Sequence, residues 1–211
     1  MLELLGKLKG GILDILLPKF CVGCGREGLY ICKACEVFLS EVPLSKEVMA
    51  VWEYEGLMEK LIYKIKFDGC YHIIDELVEK ALVRVELKLP EDTVITYVPM
   101  WPKKERQRGF NQSEFIARKI GDVHSRGVHG LLEKAKDNRS QVGLGPKERE
   151  ENVKGVFKYL PRVFNSMEAR NVLLVDDVYT TGATMRECTK VLKRAGAKNV
   201  WCFAIARKLR L

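Results

Sequence analysis

No stretch of this 211-residue chain approaches the roughly 18 consecutive apolar residues that a membrane-spanning helix needs. The opening segment, Met1 to Pro18, is apolar but broken by Glu3, Lys7, Lys9 and Asp14. It lacks a small-residue cleavage site, which argues against a secretory signal. Histidine is scarce: His72, His124 and His129 have no partners at metal-ligand spacing, so no histidine metal site is read. Internal repeats and low-complexity tracts are missing too. What is there has ordinary globular composition, 47% hydrophobic and 30% charged residues, in a length that suits one α/β domain plus a small appendage. The formal charge of +8 suits an anionic partner, whether a phosphorylated metabolite, a nucleic acid or an anionic membrane surface. A solvated basic surface with no specific partner is the competing reading.

Seven cysteines are present, and an odd count argues against a complete disulfide framework. Four are clustered as Cys21-Val-Gly-Cys24 and Cys32-Lys-Ala-Cys35. Two such knuckles can close a tetrahedral Zn²⁺ site, and a segment this short has too little core to fold without one. An iron–sulfur cluster and a redox dithiol pair compete with structural zinc. A metal-binding cluster points to a reducing compartment, so a cytoplasmic protein is expected. Lys19, Arg26 and Lys33 would suit the module to nucleic acid. Cys70, Cys188 and Cys202 read as small apolar residues.

Three units are expected: a short amphipathic helix over 1–18, a zinc-ribbon-like module over 19–45, and a large domain over 46–211. The helix would pack on the body or a partner, or lie on a membrane surface. Within the large domain the pattern predicts strands over 48–54, 93–98, 131–132, 153–159, 172–175 and 200–206, and helices over 57–66, 73–87, 111–121 and 184–195. Strands alternating with helices imply a parallel sheet with right-handed crossovers. The polar stretch 134–152 is long for a connection and reads as a functional mobile loop or a partly helical segment.

The most informative segment is Val172-Leu-Leu-Val-Asp176-Asp177-Val-Tyr-Thr180-Thr181-Gly182-Ala183-Thr184. A buried strand would end on two acids, at the edge where ligands bind in open α/β sheets. A Thr/Gly turn then enters a helix. Its amides and the hydroxyls of Thr180, Thr181 and Thr184 can hold a phosphate, with Gly182 permitting close approach. Asp176 and Asp177 would repel that phosphate, so they are expected to face sugar hydroxyls or a Mg²⁺ that also touches the ligand. The bland alternative is a capped helix after a strand. The segment resembles the ribose-phosphate fingerprint of type I phosphoribosyltransferases. That resemblance implies that the two acids take the ribose 2′- and 3′-hydroxyls and that residues 180–184 take the 5′-phosphate.

After Pro99 comes a predicted basic loop, Trp101 to Gly109, in which Lys103, Lys104, Arg106 and Arg108 could neutralise a pyrophosphate leaving group. On these residues alone, a solvated basic loop is the favoured reading. Its Arg-Gly-Phe-Asn-Gln run, the paired CxxC knuckles and the fingerprint together resemble the ComF family of competence-associated, phosphoribosyltransferase-like proteins. The resemblance implies that this loop faces pyrophosphate, with Arg108 beside the two acids in the reaction, and that residues 134–152 form a hood over the site. Lys134, Lys136, Gln141, Arg149, Asn152 and Gly155-Val-Phe157 fall in the family's order, with lysines where arginines are common. It further implies phosphoribosyl pyrophosphate or a related ribose phosphate as ligand, Mg²⁺ with it, and a connection to single-stranded DNA and the uptake machinery. Two functions follow: a transferase moving a phosphoribosyl group to an acceptor, or a non-catalytic ligand sensor that handles DNA. No residue stands out as a general base, so the acceptor is not legible.

Overall fold

The structure, a computed structural model, describes residues 18–43, 45–136, 146–161, 164, 167 and 170–209. The helix expected over 1–17 lies outside them, as does Gln141.

Nine residues, Asn171–Tyr179, form the strand around which the fold is built, β5. It lies between β6 (Asn199–Arg207) and β2 (Val94–Tyr97), and β1 (Met49–Glu53) pairs with β6 on the far side; all three pairings are parallel. The run Val172–Val175 is apolar at every position because both faces of the strand are covered. Leu173 and Val175 pack into one core with Trp52, Ile65, Ile95, Ile116 and Phe203. Val172 and Leu174 pack into the other with Phe157, Cys188 and Leu192. On the first face lie helices α2 (Gly56–Phe67), α3 (Ile73–Arg84) and α5 (Gln112–His124). On the second lie α7 (Ala183–Arg194) and a small antiparallel pair, β3 (Leu132–Lys134) with β4 (Phe157–Tyr159). Helix α6 (Pro146–Val153) occupies part of the predicted polar loop, in agreement with its partly helical reading.

Four expectations need correcting. The basic loop after Trp101 is a helix, α4 (Pro102–Arg108): Pro102 opens it, where a missing N–H costs nothing, and Gly109 closes it. The strand expected over 153–159 is shortened to β4, because Val153 ends α6. The helix expected over 73–87 stops at Arg84. The acids lie within β5 and not beyond it: the β2 pairing stops at Val175, whereas β6 continues alongside, with Asp176 opposite Ala204.

The cysteine segment shares its core with the rest of the chain. Cys21, Ile31, Cys32, Cys35 and Leu39 are buried in the same cluster as Trp52, Leu57 and Ile74. Polar ties fix it to α3. The Glu76 carboxylate accepts from the backbone N–H groups of Tyr30 (3.0 Å) and Ile31 (2.9 Å). Glu36, on the short helix α1 (Lys33–Glu36), pairs with Lys80 at 2.6 Å and Arg84 at 2.7 Å, and the Lys80 bond holds its carboxyl below the usual range. Leu57, at the start of α2, reaches the first knuckle: a Cβ at Gly23 would lie 3.5 Å from it and 2.7 Å from Cys35 Sγ, which is why glycine stands there. No helix among the described residues is long and apolar enough to cross a membrane.

Candidate functional site

Where β2 ends and β5 continues, the sheet opens into a cavity of about 480 Å³. Its floor is the acid pair. Asp177, 5% exposed, follows Leu173 and Val175 in the strand's alternation, and its Oδ1 accepts from the backbone N–H of Val178 at 2.7 Å. Asp176 Oδ1 accepts from Ser113 Oγ at 2.8 Å and from the Asp177 backbone N–H at 2.9 Å. Burial, and then the adjacent Asp177 carboxylate, push Asp176 up to about 7. Two carboxylates in one poorly hydrated place call for a cation, and the chain brings one. Lys66 Nζ, from the last turn of α2, lies 2.7 Å from Asp177 Oδ2. Burial opposes the ammonium form of Lys66, but Asp177 outweighs it and the lysine pKa is raised.

One wall is the turn that follows β5. Thr180, Thr181, Gly182, Ala183 and Thr184 all line the cavity and lead into α7. Gly182 is the N-cap of that helix, at φ 78°, and offers no side-chain acceptor to the first turn, whose amides point where an anion is favoured. A side chain at Gly182 would overlap the Tyr179 hydroxyl, which itself donates to Glu47 at 2.8 Å.

Pro99, Met100, Trp101 and Lys104 also line the cavity, as does Lys134 from β3. Of the four cations on α4, Lys104 alone lines the cavity; Lys103 and Arg106 are exposed away from it. Arg108 stands outside it. It donates to Gln112 Oε1 at 2.6 Å, lies 5.7 Å from the Phe67 ring, and its pKa is lowered by burial against the opposing pull of Asp177. The Asn-Gln-Ser run after Phe110 lines the cavity as well. Asn111 caps α5, accepting from Ser113 N at 3.0 Å, and donates to Val98 O at 3.1 Å, so the turn after β2 is locked to the helix that aims Ser113 at Asp176.

Tyr54, Glu59, Lys66 and Ser113 are cavity residues that no motif marks. Lys66 left one signal: it falls four residues after the buried Ile62 and eight after the buried Met58, so a charge sits on the apolar face of α2.

The cysteines lie apart from this cavity. The four thiol sulfurs are all within 4.8 Å of one another, so the cluster can hold a metal ion. Backbone N–H donors outweigh burial and lower Cys21 to about 6, while burial and the neighbouring thiols drive Cys35 up to about 12. A bound cation would favour the thiolate form of Cys35 against that burial. Cys188 is buried, whereas Cys70 and Cys202 are half-buried. For Mg²⁺, the donor set is the two carboxylates plus whatever oxygens a ligand brings. Asp176 fits such a role; Asp177 Oδ2 already faces an ammonium.

Residues 108–210 match the family model described as the phosphoribosyl transferase domain. "Competence protein F" of Haemophilus influenzae is 29% identical over 89% of this chain and 84% of its own length. "Competence protein ComFC" of Streptococcus pneumoniae is 29% identical over 89% of this chain and 80% of its own length. The "DNA utilization protein YhgH" of Escherichia coli K12 is 28% identical over 86% of this chain and 82% of that protein.

Proposed function

From a type I phosphoribosyltransferase fold with an N-terminal four-cysteine module, and a ComF-family resemblance that spans most of the chain, we propose that the protein binds phosphoribosyl pyrophosphate or ribose 5-phosphate and transfers the phosphoribosyl group to an acceptor. One observation carries the reading: both acids, the whole Thr180–Thr184 turn, Lys104 and Lys134 line a single cavity. The turn and the α7 N-terminus hold the 5′-phosphate. Asp176 and Asp177 take the ribose hydroxyls, and Ser113 fixes the orientation of Asp176. The acceptor's lone pair attacks the anomeric carbon while the bond to the pyrophosphate oxygen breaks. Pyrophosphate departs with that electron pair, and the acceptor gives up a proton. Lys104 and Lys134 face the departing charge. Mg²⁺, when bound with the ligand, would draw charge from the pyrophosphate oxygens. Zn²⁺ in the cysteine cluster is structural, in a cytoplasmic protein whose thiols stay reduced.

Calorimetry with phosphoribosyl pyrophosphate and MgCl₂ tests the reading. Wild type binds, and Asp177→Asn weakens binding about 10- to 100-fold through lost charge-assisted hydrogen bonds to the sugar. A wild-type protein that gives no heat with either ribose phosphate sinks it.

The alternative is a ligand sensor that handles single-stranded DNA. Lys103 and Arg106 favour it, because both are exposed on α4 outside the cavity. The names of the relatives support a link with DNA uptake or use. On this reading Lys103→Ala/Arg106→Ala flattens the salt dependence of DNA binding by about 1.4 in log–log slope, the loss of two phosphate contacts on a single strand. An unchanged slope removes it.

A further inference from the structure

The site is meant for an anion, yet its floor carries two adjacent carboxylates. A phosphorylated sugar approaching Asp176 and Asp177 meets repulsion unless a positive charge stands among them. A divalent cation arriving with the ligand is one solution. The chain has a second built in, because the Lys66 ammonium is 2.7 Å from Asp177 Oδ2. Both side chains are largely withdrawn from water, at 23% and 7% exposure, so this is no loose surface pair. Both also line the cavity, with Tyr54 and Glu59 beside them. Asp177 Oδ1 accepts from the Val178 N–H and Oδ2 is sealed from solvent beside Lys66, so the pair meets a ligand only through the parts of the two side chains that line the cavity.

We propose that Lys66 is a resident counter-cation for the sugar-binding acids, through which this chain binds ribose 5-phosphate without a divalent metal. The inference rests on the ribosyl phosphate reading above and concerns how that site handles charge. An ammonium has three donors, so Lys66 can keep Asp177 while also donating to a hydroxyl of the ribose. The raised lysine pKa agrees with a cation held at neutral pH. A purely structural ion pair would look the same in the empty site but behave differently. Its removal would destabilise the protein and leave the metal dependence of ligand binding unchanged.

The test is calorimetry of ribose 5-phosphate with the full-length protein in metal-depleted buffer, and again with saturating MgCl₂. No chelator is used, since it would strip the cysteine cluster. Wild type binds with affinities within about threefold of each other in the two buffers, the Lys66 charge having already offset one carboxylate. Lys66→Met loses about 30-fold or more in metal-depleted buffer, as a second uncompensated carboxylate faces the phosphate, and regains most of it in MgCl₂. Lys66→Arg keeps the charge and behaves like wild type. Wild-type binding that needs MgCl₂, or a Lys66→Met loss of equal size in both buffers, overturns the inference while the functional reading stands. Absence of wild-type ribose 5-phosphate binding in both buffers overturns the inference, and absence of phosphoribosyl pyrophosphate binding as well overturns the functional reading with it. Should Lys66→Met fail to fold, the wild-type comparison and Lys66→Arg still decide the matter.

Discussion

Replacing Gly182 with alanine is expected to lower the affinity for a ribosyl phosphate about 100-fold, close to 2.7 kcal/mol. Two penalties coincide. Gly182 sits at φ 78°, where an L-residue carries a cost of roughly 1–2 kcal/mol. A methyl group there also lands on the Tyr179 hydroxyl and comes within 2.6 Å of Arg186 Nη1. Tyr179 cannot step aside. It is 5% exposed, ends a central strand, and its hydroxyl is tied to Glu47. Arg186 is itself held by a 2.8 Å bond to the Thr181 carbonyl. The remaining freedom is in the Thr180–Thr184 turn, and displacing that turn moves the amides proposed to hold the phosphate. Melting should fall by only a few degrees, because the change is at the edge of the fold. Calorimetry with ribose 5-phosphate, paired with a melting curve, reads both quantities. Binding within threefold of wild type would mean that this turn is not the phosphate site.

Loss of the metal from the cysteine cluster is expected to have the largest effect on stability. Purified protein should carry about one zinc per chain, as four sulfurs closing one tetrahedral site require. Cys35→Ser, or dialysis against a strong chelator, should lower the melting temperature by roughly 10 °C or more. That corresponds to about 4 kcal/mol at 2–4 °C per kcal/mol for a chain of this size. The figure is well below the ~10–16 kcal/mol that zinc supplies to an isolated finger. Here Ile31, Leu39 and Trp52 bury surface together and Glu76 and Glu36 anchor the segment to α3, so part of its order survives the ion. Elemental analysis and melting of Cys35→Ser against wild type decide it. A metal-free wild type that melts identically to the variant would rule out a structural ion.

The sheet and the Thr/Gly turn were legible because their signals are local. Four apolar residues covered on two faces, two acids and a Thr/Gly turn stand within 13 consecutive positions, and they fold as a strand, a floor and a helix cap. Helix α4 was not legible: Pro102-Lys-Lys-Glu-Arg-Gln-Arg has no apolar face, so periodicity has nothing to report, and none of its residues is buried. The extent of β5 was missed for a different reason. Aspartate is a poor strand former, and pairing with β6 overrode that preference at Asp176 and Asp177. Lys66 and Ser113 were missed because they are 111 and 63 positions from the acids they touch, and no short motif spans such distances.

Helix α2 begins with Leu57, which reaches the first cysteine knuckle, and ends near Lys66, which reaches the acid pair. Nine residues of rise put those two points roughly 14 Å apart along one rod. A hydrogen-bonded rod does not compress, so rearranging the sulfurs tilts or slides its far end. Oxidation of the thiols would therefore reach the acid pair as a mechanical displacement, with no electron or ion crossing the space between.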